Sequence, residues 1–274
     1  LKQLSQTEIN RLSIGTQSFF DEDLKLMNRA HNASEAESSI KRAQDFGLEN
    51  ISIDLIYGSP TSNLEIWKDN LNRTIELQVP HVSSYALTVE PKTALEKWIR
   101  NGKVTPPEEG EHNKEFYYMS DFLKQNGFDH YEISNFGKPG FHSKHNSAYW
   151  KSEPYLGIGP SAHSYDGNLE RSWNIANNSL YIKNINQNIL PKETEILSEK
   201  DRFNEMMMIG LRTIWGVDLN KINQNFSSEI IDYFNEEIKN KLESEILVIE
   251  NNHLLIPEKH WFLADGIASD LFMV

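Results

Sequence analysis

Cysteine is absent from the 274 residues, which excludes disulfides and thiolate metal ligands for this sequence. No run approaches the roughly 18 consecutive apolar residues of a membrane span, and the N-terminus has no signal-peptide pattern. Basic residues are scarce: 27 Lys and Arg stand against 40 Asp and Glu, a formal net charge of -13. Nucleic-acid affinity rests on cations neutralising phosphates, so this balance argues against a nucleic-acid partner. These absences fit a cytoplasmic protein without a transmembrane segment. With 38% hydrophobic and 24% charged residues, the length suffices for one large or two modest globular domains. The chain opens at Leu1, without Met, in a pattern (Leu1, Leu4, Ile9) that reads as the tail of a helix feeding a strand. A piece of a longer protein, cut upstream of its third or fourth strand, is therefore expected.

The stretch from Arg11 to Pro60 organises the rest. Two short apolar runs, Arg11–Gln17 and Ile51–Tyr57, are joined by a helical segment, as strand-helix-strand units in a parallel sheet require. A third run, His81–Val89, follows a second helical segment. Period-two reading puts Ser13, Gly15 and Gln17 on one face of the first strand, and Ser52 and Asp54 on one face of the second. Ser84, Ala86 and Thr88 share a face of the third. Parallel strands buried on both sides read as unbroken Val/Ile/Leu runs, so a small or polar face on three neighbours points to the wall of a ligand cavity. Gln17 and Asp54 lie toward the carboxyl ends, where barrel sheets place their chemistry.

Between these strands, Ser34-Glu35-Ala36-Glu37 reads as a capping box with Ile40, Ala43 and Phe46 inward and Gly47 as the stop. Leu64, Trp67, Leu71 and Ile75 stripe the next helix. Past Pro91 the βα rhythm ends. Thr105-Pro106-Pro107-Glu108 is a loop before a helix over 111–126, with Phe116, Met119 and Leu123 inward. Tyr131–Tyr165 has little periodicity, many aromatics, and His142, His145 and His163; it reads as a binding or lid segment. From Leu197 the pattern gives a helix capped by Ser198, two more helices, a hairpin on Asn251-Asn252 and a last helix, a winged-helix-like module. The expected parts are residues 1–91, 92–196 and 197–274.

These residues also carry a family. Arg11-Leu12-Ser13-Ile14-Gly15-Thr16-Gln17-Ser18-Phe19, Asn28-Arg29-Ala30-His31, Asp54-Leu55-Ile56-Tyr57-Gly58-Ser59-Pro60 and Tyr131-Glu132-Ile133-Ser134-Asn135-Phe136 resemble the radical S-adenosylmethionine enzymes of the oxygen-independent coproporphyrinogen III oxidase class. His145-Asn146-Ser147-Ala148-Tyr149-Trp150 is similar to the H-N-x-x-Y-W signature of its haem-chaperone branch, HemW. The resemblance implies an α/β fold: the C-terminal half of a partial TIM-like (β/α)6 barrel, then the mostly helical winged-helix-like domain. It implies S-adenosylmethionine contacts at Gln17, Arg29, Asp54, Thr88 and His163, and haem at His145, passed on to respiratory membrane enzymes. It also implies a [4Fe-4S] cluster on a C-x-x-x-C-x-x-C loop and a G-G-G-T-P motif, and neither is in this sequence. The cluster is thus expected only in the full-length protein, with no metal ligands for it and no catalytic residue here. Whether an intact protein is an enzyme stays open between a chaperone and a coproporphyrinogen III oxidase acting by oxidative decarboxylation.

The chemistry of the residue types agrees. A carboxylate such as Asp54 accepts hydrogen bonds from ribose hydroxyls, Gln17 donates and accepts, and Arg29 can pair bidentately with a carboxylate. An imidazole is a usual axial haem ligand, and Tyr149 and Trp150 offer flat apolar surface. His142 and His145 lack a third ligand for a metal site. Met206-Met207-Met208 reads as core packing. Acidic residues in the tail, among them Glu229, Asp232, Glu236 and Glu237, set aside DNA binding by the winged-helix-like module.

Overall fold

The computed structural model describes residues 1–106 and 110–274. The chain forms two compact units, Leu1–His142 and Ser143–Val274, so residues 92–196 are shared between them. The part of the expected loop at Pro107-Glu108 lies outside the described residues.

Three parallel strands found the first unit: β1 (Leu12–Gln17), β2 (Ile51–Tyr57) and β3 (His81–Ala86). Helices α1 (Asp21–Leu26) and α2 (Ala33–Asp45) link the first two strands, and α3 (Leu64–Glu76) links the second to the third. Ile51, Ile53, Leu55 and Val82 are fully buried, each stabilising the fold by roughly 1.5–3 kcal/mol relative to exposure. Trp67 and Leu71 of α3 and Ile40 and Ala43 of α2 belong to the same buried set.

Several local readings change. The box on α2 is built by Asn32, which accepts from Glu35 N while Glu35 Oε2 accepts from Asn32 N; Ser34 already lies inside the helix. Phe46 is exposed, and Ala36 takes the inward place instead. Only a short 3-10 turn, Leu4–Gln6, precedes β1, with Leu4 and Ile9 exposed. Strand β3 stops at Ala86, three residues before Val89.

After α4 (Ala94–Arg100) and α5 (Glu111–Gln125), the chain returns to the sheet as a hairpin, β4 (Asp129–Glu132) and β5 (Asn135–Gly137). The sheet order is β1-β2-β3-β5-β4, the last two antiparallel. This hairpin falls in a stretch whose sequence has no alternation, because the strands are four and three residues long and buried on both faces. On α5, Phe116, Met119 and Leu123 are buried as the stripe requires.

The second unit begins with α6 (Lys144–Trp150), capped by the Ser143 hydroxyl. A three-stranded antiparallel sheet follows, β6 (His163–Tyr165), β7 (Glu170–Asn174) and β8 (Lys192–Ile196), with α7 (Asn178–Ile185) between the last two. Then come α8 (Glu199–Gly210), β9 (Val217–Asp218), α9 (Leu219–Asn225) and α10 (Ser228–Glu243). The hairpin β10 (Val248–Glu250) and β11 (His253–Leu255) turns on Asn251-Asn252, both at positive φ as a tight hairpin demands. Strand β9 joins it, and α11 (Ala264–Ser269) ends the unit. Helix α8 stops at Gly210 and leaves Ile214 exposed. No helix among the described residues is long and apolar enough to cross a membrane.

Candidate functional site

In the first unit the small and polar residues do gather on one sheet face. Register pairs Ser13 with Ser52 and Asp54 with Ser83. Side chains paired in register share a face, so the third strand contributes Ser83 and Tyr85, and Ser84 pairs with Leu55 on the opposite one. The expected phase of β3, with Ser84, Ala86 and Thr88 toward the cavity, is therefore off by one. Two adjacent serines hide the phase from a sequence reading. Thr88 lies two residues past the strand, exposed, with its hydroxyl 3.5 Å from Ala86 O.

Gln17 breaks the alternation. Ile14 pairs with Ile53 but Gln17 pairs with Leu55, three steps on β1 against two on β2, so β1 carries a bulge. Ser18 N donates to Thr16 O at 2.8 Å, and Gln17 between them has φ 66, a left-handed conformation costing a non-glycine residue on the order of 1–3 kcal/mol. The turn folds the Gln17 side chain back along the strand. A Cβ on Gly15 would stand 2.9 Å from Gln17 Nε2 and 4.0 Å from Asp54 Oδ2, so the missing side chain keeps this hollow open. The bulge and the turn thus bring Gln17 and Asp54 together over Gly15.

Asp54 is half-buried, and loss of water pushes its pKa up from the usual carboxylate value. The Ser83 and Ser13 hydroxyls and the positive charge of Arg29 act the other way. Arg29 itself is exposed, after α1. Beyond Asp54 a polar row crosses the sheet: Ser83 Oγ donates to Asn135 Oδ1 at 2.7 Å, and Asn135 Nδ2 donates to the buried Glu132 carboxylate. In the sequence Glu132 and Asn135 belong to the Tyr131–Phe136 motif with nothing to tie them to the polar face; only the hairpin brings them beside Ser83.

The donor set suits a polar, zwitterionic ligand with hydroxyls, as S-adenosylmethionine is: a floor cleared at Gly15, an acceptor in Asp54, an amide in Gln17 and a cation in Arg29. A thiolate-held cluster does not fit, since cysteine is absent and no group of three His, Cys, Asp or Glu suited to a metal occurs among the described residues.

The second unit holds the other expected residues. Helix α6 spaces His145 and Tyr149 four apart, on one face, with ring centroids 5.0 Å apart at 85°. His145 is exposed. Tyr149 meets Tyr155 edge-on at 4.8 Å, and Tyr155 meets Tyr165 at 6.2 Å. Trp150 lies under the Arg212 guanidinium, 5.4 Å from the ring centre. His163 sits on β6 opposite Trp173, its ring 5.9 Å away and exposed. Behind Tyr149 is a pocket of about 160 Å³ lined also by Trp150, Tyr155, Tyr165, Arg171 and Glu205, which the sequence reading did not single out.

Comparison with known proteins agrees with both units. A family model described as the HemN C-terminal domain matches residues 197–263. "Heme chaperone HemW" of Lactococcus lactis subsp. lactis is 34% identical over 271 residues, 97% of this chain and 70% of that protein. "Heme chaperone HemW" of Bacillus subtilis is 34% identical over 249 residues, 90% of this chain and 65% of that protein. Against that of a Synechocystis strain the chain spans 55% of the relative's length. The solved coproporphyrinogen III oxidase (HemN) of Escherichia coli, described as a radical SAM enzyme, superposes with a TM-score of 0.76 at 21% identity, over 96% of this chain and 64% of that one. It establishes likeness of fold: the mixed α/β sheet unit and the mostly helical C-terminal part. By its identity over nearly all its length to curated members, the chain belongs to the HemW branch of the radical S-adenosylmethionine family.

Proposed function

We propose that this chain is the larger part of a haem chaperone that binds haem through His145 and S-adenosylmethionine on the face around Gly15, and transfers haem to respiratory membrane proteins from the cytoplasm. The observation that carries the haem reading is α6, whose spacing sets the Tyr149 ring edge-on beside an exposed His145 imidazole that would hold the haem iron. Gln17, Arg29 and Asp54 support the second ligand, with Asp54 accepting from ribose hydroxyls, Gln17 orienting the amino acid part and Arg29 pairing with its carboxylate. Thr88 and His163 belong to the same reading but rest on the family resemblance alone. When bound in the full-length protein, a [4Fe-4S] cluster would supply electrons, and its ligands are not among these residues.

His145→Ala tests the reading by Soret titration: haem affinity should fall at least tenfold, and an unchanged curve removes His145 as the ligand. Likeness of fold to coproporphyrinogen III oxidase favours one alternative, oxidative decarboxylation of coproporphyrinogen. Anaerobic assay of the intact protein under reducing conditions separates the two, because a chaperone yields no protoporphyrinogen.

A further inference from the structure

The pocket behind Tyr149 is a built feature of the second unit. Tyr155 and Tyr165 exchange both backbone hydrogen bonds at 2.9 Å, and Tyr165 pairs in register with Arg171. The three side chains thus form one row across three chain segments, facing one side. Glu205, from α8, closes it: both its carboxylate oxygens accept from Arg171 Nη2 at 2.7 Å. That leaves the guanidinium half used. Nε and Nη1 of Arg171 donate to no group among the described residues, although a guanidinium carries five N–H groups in a planar fork. The side chain is 30% exposed, so a ligand can reach it.

We propose that Arg171 is a carboxylate subsite for haem: it holds one propionate of the tetrapyrrole bound at His145, with Tyr149 standing between metal site and pocket. The proposal rests on the haem reading of His145. The chemistry follows from what the pocket lacks. Its unused groups at Arg171 are donors, so the group that completes it is an acceptor, and a planar carboxylate matches the fork. Size sets the rest. About 160 Å³ is well below the roughly 300–1,000 Å³ of pockets that enclose a drug-sized ligand, so a side chain enters and the macrocycle stays outside. The macrocycle then lies over Tyr149, edge-on to His145 and lining the same pocket.

Titration of the full chain with haem and with haem dimethyl ester, whose propionates are masked, tests the subsite. The parent should bind the free acid about tenfold more tightly than the ester, the size of one hydrogen bond to a charged group. Arg171→Leu should lose that preference while keeping the parent's affinity for the ester. Equal parental affinity for acid and ester overturns the proposal, as does a preference that survives in Arg171→Leu. A variant that loses acid and ester alike places Arg171 in the scaffold and also overturns it. The haem reading fails separately: His145→Ala would leave both affinities unchanged while Arg171→Leu still erased the preference.

Discussion

Ser83 stands between Asp54, its register partner on β2, and Asn135, whose Oδ1 lies 2.7 Å from the Ser83 hydroxyl. A hydroxyl has one proton to give, so Asp54 and the Asn135 carbonyl compete for it. Asn135 in turn is fixed by the buried Glu132 carboxylate, which accepts from its Nδ2 and from Ser134 N. The row thereby ties the half-buried Asp54 to a rigid hairpin on the far side of the sheet.

Asp54 therefore binds as an acceptor held in place, and the two ends of the row should be separable. Asp54→Asn should lower S-adenosylmethionine affinity about tenfold or more, since it removes the charge and puts a donor where ribose hydroxyls need an acceptor. Ser83→Ala should cost less, on the order of 1 kcal/mol, by loosening Asp54 without discharging it. Isothermal calorimetry on both variants decides; Ser83→Ala weaker than Asp54→Asn would reverse the assignment of roles.

Gly15 offers a test of the hollow with little effect on the fold. Alanine there meets only the far end of the Gln17 side chain at 2.9 Å and Asp54 Oδ2 at 4.0 Å, and Gly15 has no positive φ to strain it. A flexible amide can swing away, so thermal stability should shift by less than about 1 kcal/mol. Ligand affinity should nevertheless fall, because the displaced Gln17 and the new methyl both take ligand space. A Gly15→Ala protein that melts like the parent and binds S-adenosylmethionine equally well would move the site elsewhere.

The sequence exposed what depends on periodicity and concealed what depends on register. Three parallel strands and the crossover helices follow from apolar runs and strand ends, and the structure contains them. The phase of β3 was hidden by Ser83-Ser84, which present the same residue to both faces. Gln17 reaches the hollow through a bulge and a left-handed backbone, which alternation alone does not encode. Asn135, Glu132 and Arg171 reach their sites through strands of three to five residues, too short to show a period.

Two buried histidines fix the acid side of the stability profile. His81 bonds the Ser52 hydroxyl at 2.7 Å and the Tyr131 hydroxyl at 2.8 Å, and burial holds its pKa down at about 3. His130, against Ser120 and Ile133 O, is likewise held at about 3, by burial first. Both are neutral in the fold yet protonate near 6.5 when unfolded, so the unfolded chain binds more protons between about 3 and 6.5. Their contribution to stability is complete above 6.5 and is lost as pH falls toward 3. In urea unfolding at pH 7.5 and 4.5, His81→Gln should be less stable than the parent at the higher pH but lose less on acidification. Equal losses would show that His81 is charged in the folded state.

Glu115 should act in the opposite sense. Its Oε2 accepts from Gly58 N at 2.8 Å, in the turn that follows Asp54's strand, and its residue is 2% exposed. Gly58 has φ 74, and a Cβ there would strike the His112 ring, so this turn admits only glycine and sits tight against α5. Burial, then the neighbouring Glu111 and Asp23 charges, push Glu115 up to about 7, against one favourable backbone hydrogen bond. Between about 4.5 and 7 the folded chain keeps a proton that the unfolded chain releases. Stability from this residue is therefore full at low pH and is lost as pH rises through that window, by on the order of 3 kcal/mol, with no further change above 7. Glu115→Gln keeps an acceptor for Gly58 N and carries no charge to desolvate. It should flatten the profile from pH 4.5 to 7 and exceed the parent's stability at pH 8, as read by urea unfolding at steps of pH. Parallel profiles for the two proteins would mean that Glu115 is ionised in the fold at ordinary cost.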